Sequence, residues 1–142
     1  MTDSLLLDTH IVLWLANGDT RLRPSTLSLI ERCRRDGGTV WFSAVSVWEI
    51  AQLINAGRLV LDRPVKAWIE RLLDHAGMAV LLLSWHAAMD AYPLHPLEHR
   101  DSADRLLIAT AIERACPFIT YDERIARFGE THGARYGFTV QV

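Results

Sequence analysis

The stretch that decides the fold is Ser4-Leu5-Leu6-Leu7-Asp8-Thr9-His10, in which a short apolar run is followed directly by an acidic residue. An apolar run of this length, followed at once by polar residues, is typical of a buried β-strand. Asp8 then lies at the carboxyl end of that strand, which is where open parallel α/β sheets bind their ligands. The stretch therefore predicts a strand that carries a candidate functional acid.

Short apolar runs and longer amphipathic stretches alternate along the rest of the chain. Further strands are predicted at residues 39–42, 79–83, 117–120 and 138–142. Helices are predicted from near Thr9 and at residues 25–35, 45–56, 64–75, 102–115 and 123–128, and residues 92–101 read as a loop. Strands that alternate with helices predict an α/β fold with a mostly parallel sheet and helices on both faces.

The composition fits one globular domain over residues 1–142. Half of the 142 residues are hydrophobic, 23% are charged, and the net charge is −2. This balance does not point to a nucleic-acid binder, although a site built from carboxylates lowers the net charge locally. Two distant cysteines, no signal peptide and no long apolar run predict a cytoplasmic protein.

Three further acids are predicted to join Asp8 at one edge of the sheet. Glu49 lies early in the helix after the second strand, and Asp122 follows the fourth strand. Asp104 opens the helix that leads into the fourth strand, so it starts at the same edge. Carboxylates packed together repel one another and need a cation, and Mg²⁺ prefers oxygen ligands. Such a site can activate water for phosphodiester cleavage.

Each acid also has an ordinary structural interpretation. Asp8 and Asp122 are suitable N-caps for the helices that follow them. Glu49 stands three residues after Ser46, as in a capping box. A charge at the position of Asp104 is favoured by the helix dipole. The functional interpretation therefore depends on all four acids meeting at one edge.

Four segments resemble, in order, the motifs of PIN-domain ribonucleases, especially the VapC-type toxins of bacterial toxin–antitoxin pairs. They are residues 5–10 (LLLDTH), 43–50 (SAVSVWEI), 99–109 (HRDSADRLLIA) and 119–122 (ITYD). The third motif is usually written H-x-D-P-x-D-R-L-L-I-A, so Ser102 stands where proline is usual.

The resemblance implies a three-layer α/β/α sandwich, an endoribonuclease that uses Mg²⁺ or Mn²⁺, a cognate antitoxin and a homodimer. Carried over by position, the resemblance implies that the catalytic and metal-binding residues are Asp8, Glu49, Asp104 and Asp122. Asp101 belongs to the same motif, and we rank it as a secondary acid or a helix-start charge.

Small polar residues and one arginine are candidate supporting groups. Thr9, Ser43 and Thr120 follow strand ends and can hydrogen-bond the carboxylates, although an ordinary cap is the favoured interpretation of Ser43. Arg105 follows Asp104 directly, so it can pair with an acid or contact a phosphate.

Histidines and tryptophans suggest weaker alternatives. His95 and His99 have a zinc-like spacing, but Pro96 argues against the helix that would place them on one face. The five tryptophans are assigned to the core or a subunit interface rather than to base stacking. Trp14 and Leu15 are predicted to contact an antitoxin helix, with core or dimer contacts as the alternative.

Three other functions compete with the toxin. A catalytically inactive PIN-like binding module and a housekeeping RNA-processing nuclease share the fold. A phosphoryl-accepting receiver also gathers acids at strand ends, but it needs a lysine near the last strands. The one lysine, Lys66, falls in a middle helix. The sequence does not identify the RNA substrate or the antitoxin.

Overall fold

The computed structural model describes residues 4–94, 96–97 and 101–141. The strands are β1 (Leu5–Leu7), β2 (Val40–Ser43), β3 (Met78–Leu81), β4 (Phe118–Ile119) and β5 (Val140–Gln141). The helices are α1 (Thr9–Asn17), α2 (Pro24–Arg35), α3 (Ala44–Asn55), α4 (Val65–Leu73), α5 (Trp85–Asp90), α6 (Ser102–Arg114) and α7 (Glu123–Tyr136).

The five strands form one sheet in the order β3-β2-β1-β4-β5, and every pair is parallel. Leu5 and Leu7 of β1 pack into one core with residues of α1, α2, α3 and α4. Leu6 points to the other face and packs with residues of α6 and α7. Alternate strand residues thus bury both faces of the sheet, which confirms the predicted α/β/α sandwich.

The strand order places a switch point beside β1. β2 pairs with one edge of β1, whereas β4 pairs with the other edge. Chain connections leave in opposite directions from such a point and open a crevice beyond the carboxyl ends of the two central strands. Asp8 and Asp122 follow β1 and β4, so the topology itself brings them to this crevice.

Helix α7 is longer than the sequence predicts. The sequence predicts that the helix after Asp122 ends at Phe128, but α7 continues to Tyr136. Gly129 and Gly133 lie inside α7, and a side chain at Gly133 would collide with the backbone carbonyl of Phe138. These glycines look like helix ends in the sequence, whereas in the structure Gly133 permits close packing.

The other differences are one additional short helix and small shifts at element ends. Helix α5 was not predicted, because its six residues are too few to show a helical period. Helix α4 begins after Pro64, which is its N-cap rather than part of its first turn. No helix in the described part of the chain is long and apolar enough to cross a membrane.

Candidate active site

Asp8 lies at the end of β1 with both carboxylate oxygens engaged. The residue is 3% exposed, and its side chain caps α1 by accepting a 2.7 Å hydrogen bond from the Thr9 amide. The other oxygen accepts a 2.7 Å hydrogen bond from the Thr120 hydroxyl. Asp8 is therefore both the predicted helix cap and a fixed acid in the crevice, so the two interpretations do not exclude each other.

Thr120 links the first acid to the fourth. Its hydroxyl donates to Asp8 and accepts a 3.0 Å hydrogen bond from the Asp122 amide. Asp122 in turn caps α7 by accepting from the backbone amides of Arg124 and Ile125. The Thr120 hydroxyl is fully buried, so it sets the separation of the two acids from within the fold.

Glu49 is held by a pair of hydroxyl groups. The Thr9 hydroxyl donates to a Glu49 carboxylate oxygen and lies 2.8 Å from the hydroxyl oxygen of Ser46. The interpretation of Ser46 and Glu49 as a capping box was wrong, because the N-cap of α3 lies three residues before Ser46. Ser43 caps α3 by accepting a 2.9 Å hydrogen bond from the Val45 amide, which confirms its assignment as a cap.

The start of α6 brings two further acids to the cluster. Asp101 is exposed and caps α6 by accepting a 2.9 Å hydrogen bond from the Ala103 amide. Asp104 lies in the first turn and is buried. Carboxylate oxygens of Glu49, Asp101 and Asp104 all lie within 4.8 Å of one another, as the ligands of one cation would.

Asp104 is the centre of the cluster. Burial raises its pKa to about 8, and the negative charges of four other acids contribute to the increase. These acids, in decreasing order of effect, are Asp8, Asp101, Glu49 and Asp122. The charges of Asp8 and Asp122 therefore act on Asp104, whereas the carboxylate oxygens that lie within 4.8 Å of one another are those of Glu49, Asp104 and Asp101, the secondary acid of the sequence analysis.

The pKa values of two other carboxyl groups are also raised. Burial raises the pKa of Asp8, although His10 and the hydrogen bonds from Thr120 and Thr9 oppose this effect. Burial also raises the pKa of Glu49, and the charges of Asp101 and Asp8 add to the increase. Clustered carboxylates of this kind are stabilised when a cation neutralises them.

The donor set fits a hard divalent cation. All five side chains offer carboxylate oxygens, which are the ligands that Mg²⁺ and Mn²⁺ prefer. A soft metal such as zinc takes sulfur or imidazole ligands more readily. His95 and His99, the two residues of the zinc hypothesis, lie outside the described residues.

His10 contacts the site, and the sequence analysis did not predict this contact. Its Nε2 atom accepts a 3.0 Å hydrogen bond from the Tyr121 amide, and its Nδ1 atom lies 3.6 Å from an oxygen of Asp8. An Nε2 atom that accepts must be unprotonated, so Nδ1 carries the hydrogen and faces Asp8. The position of His10 two residues after Asp8 in the sequence was the available signal.

Arg105 fixes the segment that precedes α6. Its guanidinium donates to the carbonyl oxygens of Ala91, Leu94 and Leu97, at 3.4, 3.0 and 2.8 Å. These contacts hold Ala91, Leu94 and Leu97 against the helix that carries Asp104. Arg105 therefore supports the position of α6 from behind the acids.

The tryptophans differ in burial. Trp68 is a core residue, at 5% exposed, whereas Trp48 and Trp85 are 60% and 70% exposed. Trp14 is half-buried between the rings of His10 and Tyr121, with the guanidinium of Arg21 4.9 Å from its ring centre. Leu15 also packs on the core, so both residues match the alternative of core contacts.

We expect Thr120→Val to weaken metal binding about 10- to 100-fold, the usual effect of losing a group that orients a metal ligand. The substitution keeps the shape but removes the hydroxyl that joins Asp8 to the Asp122 amide. Isothermal titration with Mn²⁺ measures the change. Thr110→Val is the matched control, because its buried hydroxyl bonds the Leu106 carbonyl instead. Equal affinities in the two variants would contradict this assignment.

The fold is an α/β sandwich around a parallel sheet, and its acids lie beyond the carboxyl ends of β1 and β4, at the switch point of that sheet. Residues 5–131 match the PIN domain family. The chain is 31% identical over 122 residues to Ribonuclease VapC22 of Mycobacterium tuberculosis (strain ATCC 25618 / H37Rv), a match that covers 86% of this chain and 89% of that protein. The chain therefore belongs to the PIN-domain family, as its motifs predicted.

Solved structures share the fold. VapBC2 from Rickettsia felis, bound to a DNA fragment from its promoter, aligns with a TM-score of 0.66 and 13% identity over 97% of both chains. FitAcB from Neisseria gonorrhoeae aligns with a TM-score of 0.58 and 20% identity, over 97% of this chain and 96% of that one. FitAB bound to the IR36 DNA fragment aligns with a TM-score of 0.59 and 17% identity, over 96% of this chain and 93% of that one.

Proposed function

We propose that this chain is a metal-dependent endoribonuclease and the toxin of a toxin–antitoxin pair. The observation that carries the proposal is the group of acids centred on Asp104 at the switch point of the sheet. The relative named Ribonuclease VapC22 and the four sequence motifs support RNA as the substrate. The whole chain acts in this proposal as a single nuclease domain.

In this proposal, Asp8, Glu49, Asp104 and Asp122 hold Mg²⁺ or Mn²⁺ and are the catalytic carboxylates. A bound divalent cation supplies Lewis-acid chemistry and a more acidic water molecule for attack on phosphorus. The chain's hydroxyl groups keep the acids in position: Thr9 holds Glu49, and Thr120 holds Asp8.

Asp101 has a smaller part in this proposal. It is exposed and caps α6, so its charge is better screened by water than that of buried Asp104. We assign it to the solvent-exposed side of the cation site, where one of its oxygens lies within 4.8 Å of oxygens of Glu49 and Asp104.

The partners follow from the family resemblance. We propose a separate antitoxin that places a basic side chain against Asp8 and Asp122, because a guanidinium can pair with carboxylates in a bidentate manner. We also propose a cytoplasmic homodimer. Large apolar side chains available for its interface are exposed on α3 and around α5, namely Trp48, Leu82, Trp85, Met89 and Tyr92.

The activity test uses the purified chain and a mixed single-stranded RNA. We expect endonucleolytic products with Mg²⁺ or Mn²⁺ and none with EDTA. A folded chain that binds the metal but leaves RNA intact would favour the inactive binding module.

Expression in a bacterial host tests the biological part of the proposal. We expect growth arrest from the chain alone, rescue by the gene beside it, and no arrest by Asp8→Asn. An active nuclease that is harmless when expressed would instead favour a housekeeping enzyme.

A further inference from the structure

A groove beside the first turns of α7 contrasts with the acidic cluster. Its cavity of about 360 Å³ is bordered by cationic and polar side chains, with an apolar floor beneath them. The residues that matter here are Arg124, Arg127, Thr131 and His132 on α7, with Phe128 and Leu97 as the floor. No carboxylate stands among the described residues that line this cavity, which we name the α7 groove.

The α7 groove begins beside the candidate active site. Asp122 caps α7, and its carboxylate accepts a 2.9 Å hydrogen bond from the amide of Arg124. Arg127 lies about one turn further along the helix, and Thr131 another turn beyond it. At about 1.5 Å of rise per residue, the groove leads roughly 10 Å away from the acids.

Neither arginine of the groove forms an ion pair with a residue that the structure describes. Arg124 and Arg127 are both exposed. Elsewhere, by contrast, Arg21 pairs with Asp19 at 2.7 Å, and Arg63 pairs with Asp62 at 3.0 Å. The α7 groove therefore presents positive charge next to a site that is itself strongly negative.

Two other cavities lack this combination. One contains the Asp62–Arg63 ion pair, so part of its positive charge is already compensated. The other is lined mainly by apolar side chains around residues 51–65. The α7 groove thus combines unpaired positive charge, an apolar floor and a direct connection to the acids.

We propose that the α7 groove binds the nucleotide of the RNA substrate that adjoins the scissile phosphodiester, an inference that rests on the proposed function. Arg124 and Arg127 contact its phosphate, because guanidinium groups match phosphate oxygens in geometry and charge. The base lies over the apolar floor and the ring of His132, which packs against Phe128 at 5.8 Å between ring centres.

The proposal explains how a negative site can hold a negative substrate. Carboxylates that bind a cation repel the flanking phosphates of RNA, and a cationic surface beside them offsets that repulsion. The groove is also about large enough for one nucleotide, since small-ligand cavities begin near 300 Å³. The neighbouring phosphate, not the reacting one, is the group that Arg127 recognises.

The binding test separates the groove from catalysis. The inactive Asp8→Asn chain is titrated in EDTA with a short fluorescent single-stranded RNA of mixed sequence. Adding Arg127→Ala should weaken binding about 10-fold or more, as loss of a hydrogen bond to a charged group does. The slope of log K against log salt should fall by about 0.7, the value for one phosphate contact on a single strand.

Two further variants make the comparison specific. Arg135→Ala removes the same charge from the same helix, but Arg135 lies outside the groove, over the ring of Tyr136. It should leave RNA affinity unchanged. Arg127→Lys should recover part of the lost affinity, since it keeps the charge but not the bidentate geometry. Equal losses in Arg127→Ala and Arg135→Ala would overturn the proposal.

Kinetics supply an independent readout with the active chain and Mg²⁺. Arg127→Ala should raise KM while kcat stays within about twofold, because a contact one nucleotide away binds ground and transition states alike. A fall in kcat with unchanged KM would overturn the assignment, as would unchanged RNA binding with a weakened antitoxin complex. A chain that binds RNA through Arg127 but never cleaves it would instead refute the proposed function.

Discussion

We expect Asp8→Asn to abolish the proposed RNA cleavage and to leave the fold intact. The expected loss exceeds 100-fold, because changes to groups that only orient metal ligands already cost about 10- to 100-fold. Asparagine keeps the oxygen that accepts the Thr9 amide and is as good an N-cap as aspartate. The substitution therefore removes the charge from the crevice without removing the cap of α1.

The measurements are initial cleavage rates under saturating Mg²⁺ and thermal unfolding of both proteins. Removing the charge of Asp8, which is 3% exposed, removes a desolvation cost, but the amide nitrogen of asparagine does not accept the hydrogen bond from the Thr120 hydroxyl. These effects oppose each other, so the variant should melt close to the wild type. A variant that loses activity only because it unfolds would contradict this explanation.

Asp101→Asn is the comparison that ranks the acids. Its side chain caps α6 as an asparagine also can, and it is exposed rather than buried. We expect a milder loss of cleavage than in Asp8→Asn. Equal and complete losses in the two variants would show that Asp101 belongs with the central ligands and that our ranking is wrong.

The acids at the sheet edge were predictable because their positions follow from short-range patterns. An acid that directly follows a buried strand, such as Asp8 or Asp122, falls at the carboxyl edge whenever the strands are parallel. The first turn of α6 reaches the same edge because this helix runs back to feed β4. The sheet order was not needed for this prediction.

Contacts between distant segments were not predictable in the same way. The Ser46 hydroxyl bonds Thr9, which is 37 positions away, whereas the local pattern Ser-x-x-Glu resembles a cap. His10 bonds the Tyr121 amide, 111 positions away, and this requires knowing that β4 lies beside β1. Charge relations within the cluster likewise depend on packing rather than on spacing.

The α7 groove illustrates the same limit. Arg124 and Arg127 read in the sequence as ordinary residues of a short helix after Asp122. Their relation to the floor of the groove appears only when α7 continues past Gly129 and packs beside Leu97. Tertiary packing therefore creates a surface that local periodicity does not reveal.

The last prediction concerns pH and metal, and it follows from the burial of Asp104. The folded-state pKa of Asp104 is about 8, against an ordinary value of about 4 in an unfolded chain. Between these values the native state holds a proton that the unfolded state releases. Stability contributed by this proton is present at low pH and is lost as the pH rises through about 8.

The raised pKa values of Asp8 and Glu49 act in the same direction. In EDTA, the melting temperature should therefore fall between pH 5 and pH 8 as these acids lose their protons. Added Mg²⁺ should raise it, and more strongly at pH 8 than at pH 5, because the cation competes with protons for the same oxygens.

Asp104→Asn tests this argument in one variant. In EDTA at pH 8 it should melt several degrees above the wild type, since about 1 kcal/mol shifts the melting temperature by roughly 2–8 °C in domains of this size range. It should also lose most of the rise with Mg²⁺. Asp36→Asn is the control, because exposed Asp36 follows α2 at the opposite edge of the sheet. A wild type that gains stability from pH 5 to pH 8 without metal, or equal Mg²⁺ responses in wild type and Asp104→Asn, would refute a cation site centred on Asp104.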